Sequence, residues 1–192
     1  MRALEGRLLL IRHAESLWNA EGRWQGQADP GLSARGHDQA RGLAARLASL
    51  RVEVLLASDL ARAAETARIV GAELGLEPRL DVRLREHDVG EWSGLTHGEI
   101  ARRWPDDLAR LRAGDLDVRP GGGETKRELA ARVTDAIAEL AANHAREHVA
   151  LVSHSGWIRV LVPGLVLGNA ETWRYGDAAP ALAREVAEPE RV

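Results

Sequence analysis

The chain has 192 residues, 45% hydrophobic and 29% charged, with a formal net charge of −3, a balance that suits one well-buried globular domain over residues 1–192. A charge this close to zero gives no general attraction to nucleic acid or to an anionic membrane. The absence of cysteine excludes disulfides, thiolate metal sites and a cysteine nucleophile, and the apolar run near the start is too short for a signal-peptide core or a membrane span, so the cytoplasm is the expected address.

In chain order, Leu8 to Ile11 is a short apolar run that predicts a buried parallel strand. It stops abruptly at Arg12-His13. A loop rich in Gly, Asn and Asp leads to Ser33, which is placed to cap a helix carrying Ala40, Leu43, Ala44 and Leu47 on one face. Val52 to Ala57 predicts a second strand. Ser58 then caps a helix with Leu60, Ala63, Ala67, Val70 and Leu74 on one stripe and Gly75 as its stop. Leu80 to Leu84 reads as a short edge strand, and its open edge offers a surface on which two copies can pair as a homodimer.

Further on, Thr96 with Glu99 and Thr125 with Glu128 form capping boxes, each opening a helix. The second helix carries Leu129, Val133, Ile137 and Leu140. The glycine-rich 119–123 stretch between them is a loop, and no Gly-Lys-Ser/Thr follows it to make a P-loop. Val149 to Ser153 predicts a third strand, followed by a helical run from Gly156 that Pro163-Gly164 should break. Strands alternating with helices predict an α/β fold: a mostly parallel sheet with helices on both faces, three layers α/β/α.

In such sheets ligands bind outside the carboxyl ends of the strands. The polar exits are Arg12-His13 after the first strand, Ser58-Asp59 with Arg62 after the second, and His154 after the third, with Glu86 soon after the edge strand. Two guanidinium groups and an imidazole around one point form an anion site suited to a phosphate dianion. Backbone N–H groups of the helix near Ser155 add donors there. A neutral imidazole is a competent nucleophile toward phosphorus, and a carboxyl group such as Glu86 can protonate a leaving alkoxide. Each residue alone also has a plainer reading: a structural histidine, a surface glutamate, or an Arg62 paired with Asp59 or Glu65. Trp18, Trp24, Trp92 and the 94–124 segment are candidates for the rim that sets specificity.

Four stretches carry a family resemblance. "LIRHAESLWNAEGRWQGQADPGLSARGHDQA", "SDLARAAET", "LREHDVGEWSGLT" and "LVSHSGWIR" resemble, in order and over about residues 8–170, the motifs of the histidine phosphatase superfamily, also called phosphoglycerate mutase-like. The resemblance implies that fold and a set of roles. His13 would be the nucleophile that becomes phosphohistidine; Arg12, Arg62 and His154 would clamp the phosphoryl oxygens. Asn19, Gln25 and Gly26, with Ser155, would contact the phosphate or the adjoining substrate. Glu86 would be the proton donor and then the base for water. No metal and no organic cofactor is implied, and the partner implied is a small phosphorylated substrate.

The sequence departs from the family pattern at three places. Ala14 stands where a Gly usually follows the nucleophile, which requires a backbone away from positive φ. Ser155 replaces the Gly after the second histidine, where it is expected to cap the next helix. Pro163 falls in the family's next helix. Mutases of the superfamily resemble one another in a longer lid after the acid and in Asn-Glu-Arg-His-Tyr-Gly at it. Here a short 94–124 stretch follows "REHDVGEWSG", which is closer to the phosphatases, and the wider segment also resembles glucosyl-3-phosphoglycerate phosphatases. The expected activity is metal-independent phosphomonoester hydrolysis on a sugar phosphate or phosphoglycerate type of metabolite. A cofactor-dependent phosphoglycerate mutase and a non-catalytic phosphate-ester binding module are the alternatives.

Overall fold

The computed structural model describes residues 2–177, so the last part of the expected domain lies outside the described residues. Five strands form one sheet in the order β3-β2-β4-β1-β5, with β1 at Leu8–Arg12, β2 at Val54–Ala57, β3 at Arg79–Leu80, β4 at Val149–Ser153 and β5 at Thr172–Arg174. The pairs β1–β4, β2–β4 and β2–β3 are parallel, whereas β5 runs antiparallel against β1. The mostly parallel sheet expected from the sequence is therefore present. β5 gave no clear apolar run to announce it.

Alternation along the strands sorts the core into two layers. Leu8, Leu10, Val149, Leu151 and Val54 face one side, where they pack with Leu129, Val133, Ile137 and Leu140 of α6 (Lys126–Asn143) and with Trp157 and Ile158 of α7 (Ser155–Leu161). Ile11, Ala150, Val152, Leu55 and Ala57 face the other, against Ala40, Leu43 and Leu47 of α2 (Ala34–Leu47) and Ala63, Ala67 and Val70 of α3 (Ala61–Leu74). The small alanines on α2 and α3 let these helices sit close to the sheet and to each other. A third, smaller cluster of Val89, Trp92, Ile100, Leu108, Leu111 and Val118 gathers α4 (His97–Arg103) and α5 (Pro105–Arg112) beside the sheet. The remaining helix, α1, is one turn at Leu17–Ala20.

Helix ends mostly follow the sequence. Ser33 accepts the Gly36 amide and caps α2, both expected capping boxes form at Thr96–Glu99 and Thr125–Glu128, α3 stops at a left-handed Gly75, and α7 ends before Pro163.

Three expectations are corrected. Ser58 does not cap α3: the N-cap is Leu60, and the amide of Ala61 finds its partner in the distant carboxylate of Asp29. Ser155 does not cap α7 either; it is the first helical residue, and His154 holds the cap position without a side-chain bond. The expected strand at Leu80–Leu84 is only Arg79–Leu80, because the Asp81 side chain accepts the Arg83 amide and turns Val82–Leu84 into a 3₁₀ turn.

Candidate active site

Parallel register brings the chemistry together. Arg12 pairs with Ser153 and Ala57 with Val152, so β1, β2 and β4 end along one edge of the sheet. The residues that follow, His13, Ser58 and His154, leave the sheet side by side. At that edge lies a cavity of about 350 Å³, lined by Arg12, His13, Arg62 and Glu86, by Asn19, Gln25 and Gly26, and by Ser155 with Gly156. Eight of the nine residues assigned from the sequence are on this wall. The ninth, His154, is fully buried and reaches the site through His13, whose ring centroid is 5.0 Å from its own at a tilt of 58°.

His13 has a fixed tautomer. Its Nδ1 lies 2.7 Å from the carbonyl oxygen of Ala14, and since a carbonyl can only accept, Nδ1 carries the hydrogen and Nε2 keeps its lone pair. Its own amide donates to Ser153 O at 3.0 Å, holding it beside β4. Burial, then the charges of Arg62 and Arg12, push the His13 pKa well below that of a free imidazole, and the Ala14 bond only partly opposes them. The same causes, burial first, act on His154, with a smaller push from Arg132. Neither ring nitrogen of His154 has a hydrogen-bond partner among the described residues. An unsatisfied buried imidazole is costly, and an oxyanion seated against His13 would relieve that cost.

Arg62 is 1% exposed, and it does not pair with either of the acids near it in sequence. Asp59 is taken by Arg85 at 2.7 Å and Glu65 accepts the Leu32 amide at 3.1 Å. Instead Arg62 donates to the carbonyls of Gly26 and Ala28, each at 2.8 Å, while its buried Nε has no partner among the described residues. Burial lowers its pKa to about 10, so it stays a cation at neutral pH. Arg12 is anchored by a bond from Nη1 to Leu167 O at 2.8 Å.

Glu86 is docked against α7. Its Oε2 accepts the Gly156 amide at 3.1 Å and its Oε1 the His87 amide at 2.8 Å. One of the helix N–H groups expected to face an anion is thus used by the carboxylate. A Cβ on Gly156 would fall 2.3 Å from Glu86 Oε1, so any side chain here would displace the carboxylate from its present seat. Asn19 lines the cavity, with its Oδ1 engaged by the Ser16 amide at 3.2 Å and by Asn169 Nδ2 at 3.2 Å. Asn169 also donates to His13 O at 3.1 Å. The Gln25 Oε1 accepts Ser16 Oγ at 2.7 Å. Ala14 has no positive φ, and its amide donates to Thr66 Oγ1 at 3.0 Å, so the methyl group is accommodated.

Of the proposed rim, only Trp24 lines the cavity. Trp92 is core, with Trp24 packed edge-on to it at 5.6 Å, and Trp18 lies against Gly94. No residue of 94–124 reaches the wall. His87, Val89, Arg159 and Val166 do, and sequence reasoning did not single them out. Adjacency to Glu86 marked His87, and one helical turn from Ser155 marked Arg159. Val166 lies in an irregular segment and had no signal. Among the described residues there is no group of three or more His, Cys, Asp or Glu that could hold a metal, and no helix is long and apolar enough to cross a membrane.

Comparison with known proteins fits this geometry. Phosphoserine phosphatase 1 of Hydrogenobacter thermophilus is 34% identical over 88% of this chain and 81% of its own. A glucosyl-3-phosphoglycerate phosphatase of Mycobacterium tuberculosis is 36% identical over 87% and 78%. A solved mycobacterial glucosyl-3-phosphoglycerate phosphatase complexed with VO3 superposes with a TM-score of 0.79, at 36% identity, over 86% of this chain and 88% of that one. A 2,3-bisphosphoglycerate-dependent phosphoglycerate mutase of Brucella ovis is also related, 34% identical over 82% and 80%. The model of the histidine phosphatase superfamily (branch 1) matches residues 8–184, and the chain belongs to that family.

Proposed function

We propose that the chain hydrolyses phosphate monoesters of small metabolites through a phosphohistidine at His13. The observation that carries this reading is the 2.7 Å bond from His13 Nδ1 to Ala14 O, which leaves Nε2 as a neutral nucleophile in a cavity shared with Arg12 and Arg62. Nε2 attacks phosphorus, the ester P–O bond breaks, and the departing alkoxide takes a proton from Glu86. Glu86 then accepts a proton from water as the water displaces His13 and releases inorganic phosphate. Arg12, Arg62 and His154 stabilise the charge on the phosphoryl oxygens. Asn19, Gln25, Gly26 and Ser155 contact the bound group.

A cavity of about 350 Å³ is at the small end for a ligand site, which favours compact substrates. Phosphoserine and glucosyl-3-phosphoglycerate, named for the relatives, both carry a carboxylate near the ester. The mutase reading stands on the Brucella relative. Against it, the 94–124 stretch holds only the two short α-helices α4 and α5 and a 3₁₀ turn at Pro120–Gly122, and none of that stretch lines the cavity.

The test is incubation with phosphorylated metabolites, following released phosphate and acid-labile, base-stable phosphoprotein. Wild type should give both, and His13→Ala neither, with turnover down on the order of 10⁴-fold or more. Hydrolysis without transfer between phosphoglycerates selects phosphatase over mutase. Binding with no turnover on any substrate would leave a binding module.

A further inference from the structure

The cavity wall does not include the side chain that grips the backbone of the Glu86 segment. Arg132, on α6, lies outside the cavity, and its side chain is only 18% exposed, paired with Glu124 at 15%. Every N–H of its guanidinium is engaged. Nε donates to Glu124 Oε1 at 3.0 Å and Nη2 to Glu124 Oε2 at 2.7 Å. Nη1 donates to the carbonyls of Arg83 at 2.8 Å and Arg85 at 2.7 Å, and Nη2 also to Glu86 O at 3.2 Å. These five bonds match the five donors of arginine in its planar fork.

Glu124 completes the arrangement from the other side. Its carbonyl receives His87 Nε2 at 2.6 Å, its amide donates to Asp88 O at 2.9 Å, and its Oε2 accepts the Asp88 amide at 3.4 Å. The segment 83–88 has no regular strand or helix beyond the turn at Val82–Leu84. A helix-borne guanidinium and its carboxylate stand in for the ladder that an irregular segment lacks.

We propose that Arg132, oriented by Glu124, is a positioning residue for proton transfer: by fixing the backbone at Arg83, Arg85 and Glu86 it sets where the Glu86 carboxyl meets the leaving oxygen. This rests on the reading of Glu86 as the acid. A proton donor must lie within hydrogen-bond reach of the departing atom, and a displacement of about 1 Å costs on the order of 10²-fold in rate. Lysine cannot reproduce the contacts, having three donors on one point.

The experiment compares kcat and KM for an alkyl phosphate, glycerol phosphate, and an aryl phosphate, 4-nitrophenyl phosphate, in wild type, Arg132→Met, Arg132→Lys, Glu86→Gln and the double variant R132M/E86Q. Circular dichroism confirms the fold of each. Glu86→Gln should lose far more on the alkyl ester. Arg132→Met should lose about tenfold more kcat on the alkyl than on the aryl ester, with KM little changed and Arg132→Lys falling between. The double variant should discriminate no more than Glu86→Gln alone, because both act on one proton transfer.

Equal losses on the two esters in folded Arg132 variants, or discrimination that multiplies in the double variant, would overturn the positioning role while leaving Glu86 as the acid. Loss of leaving-group dependence in Glu86→Gln itself would remove the acid and this proposal together. If Arg132→Met does not fold, Arg132→Lys carries the same comparison, since it weakens the clamp while keeping a cation opposite the Glu124 carboxylate.

Discussion

The rings of His13 and His154 lie 5.0 Å apart, tilted at 58°, at a site that also holds the guanidinium groups of Arg12 and Arg62. Each is buried, and burial with the charge of Arg62 depresses both pKa values well below 6.5. The pair is therefore neutral near pH 7, as a nucleophile and an uncharged hydrogen-bond donor need to be. The positive charge on the cavity wall then comes from arginines, Arg12 and Arg62 with Arg159 beside them.

That relationship fixes the pH dependence of stability. The folded pKa values are depressed, so below about 6.5 the unfolded chain binds protons that the folded one refuses. Stability from this source is full above pH 6.5 and is lost as pH falls toward the depressed folded values. Shifted carboxylates act lower: Glu128, held near 2 by Arg119 against an ordinary 4.5, loses its contribution between those values. Thermal melts from pH 8 to 5 should show Tm falling below about 6.5, and His154→Gln should flatten that slope. An unchanged slope would show that the ring takes up a proton freely.

Gly156→Ala should act as an indirect attack on Glu86. The new methyl group would sit 2.3 Å from Oε1 and push the carboxylate off the Gly156 amide. Hydrolysis of alkyl phosphates should fall about 10²-fold, within the range of general acid catalysis, and of activated aryl phosphates much less. Steady-state rates on the two ester types decide it, and a uniform fall would point to a displaced phosphate site instead.

Arg62→Lys keeps a cation but cannot hold the Gly26 and Ala28 carbonyls together while presenting a flat face to phosphate. The expected result is a fall in kcat/KM of about 10²-fold, with Tm lowered as well, because two carbonyls lose partners. Vanadate or phosphate binding by calorimetry should weaken in parallel. Unimpaired anion binding would place the phosphate elsewhere in the cavity.

Leu80 and Val82 test the expected pairing edge. They are 46% and 59% exposed, but the strand there is only Arg79–Leu80, too short to add a robust ladder. Val82→Asp should therefore leave the sedimentation coefficient unchanged. Dissociation of a dimer by this variant would restore the edge as an interface.

Much of this was legible in the chain, for local reasons. Leu8 to Ile11 and Val149 to Ser153 are apolar runs of strand length, and Thr96–Glu99 and Thr125–Glu128 are capping patterns whose chemistry lies within four residues. Their placement held, and so did the arrival of Arg12, His13, Arg62 and Glu86 at one edge. What failed were the Ser155 cap, the strand at Leu80–Leu84, which the Asp81 side chain turns into a 3₁₀ turn, and a cap supplied from far away. Ser58 looked like the cap of α3, yet Asp29, from another loop, took that amide.

The sequence by itself determined the strand and helix pattern and the residue types able to handle a phosphoryl group. Strand runs and caps are written in neighbouring residues. The tertiary structure decided the burial of His154, the exclusion of 94–124 from the wall and the grip of Arg132 on the Glu86 segment. The Arg132 contacts span 46 to 49 positions, to Glu86 and Arg83, and no local pattern specifies which distant carbonyl will meet which donor.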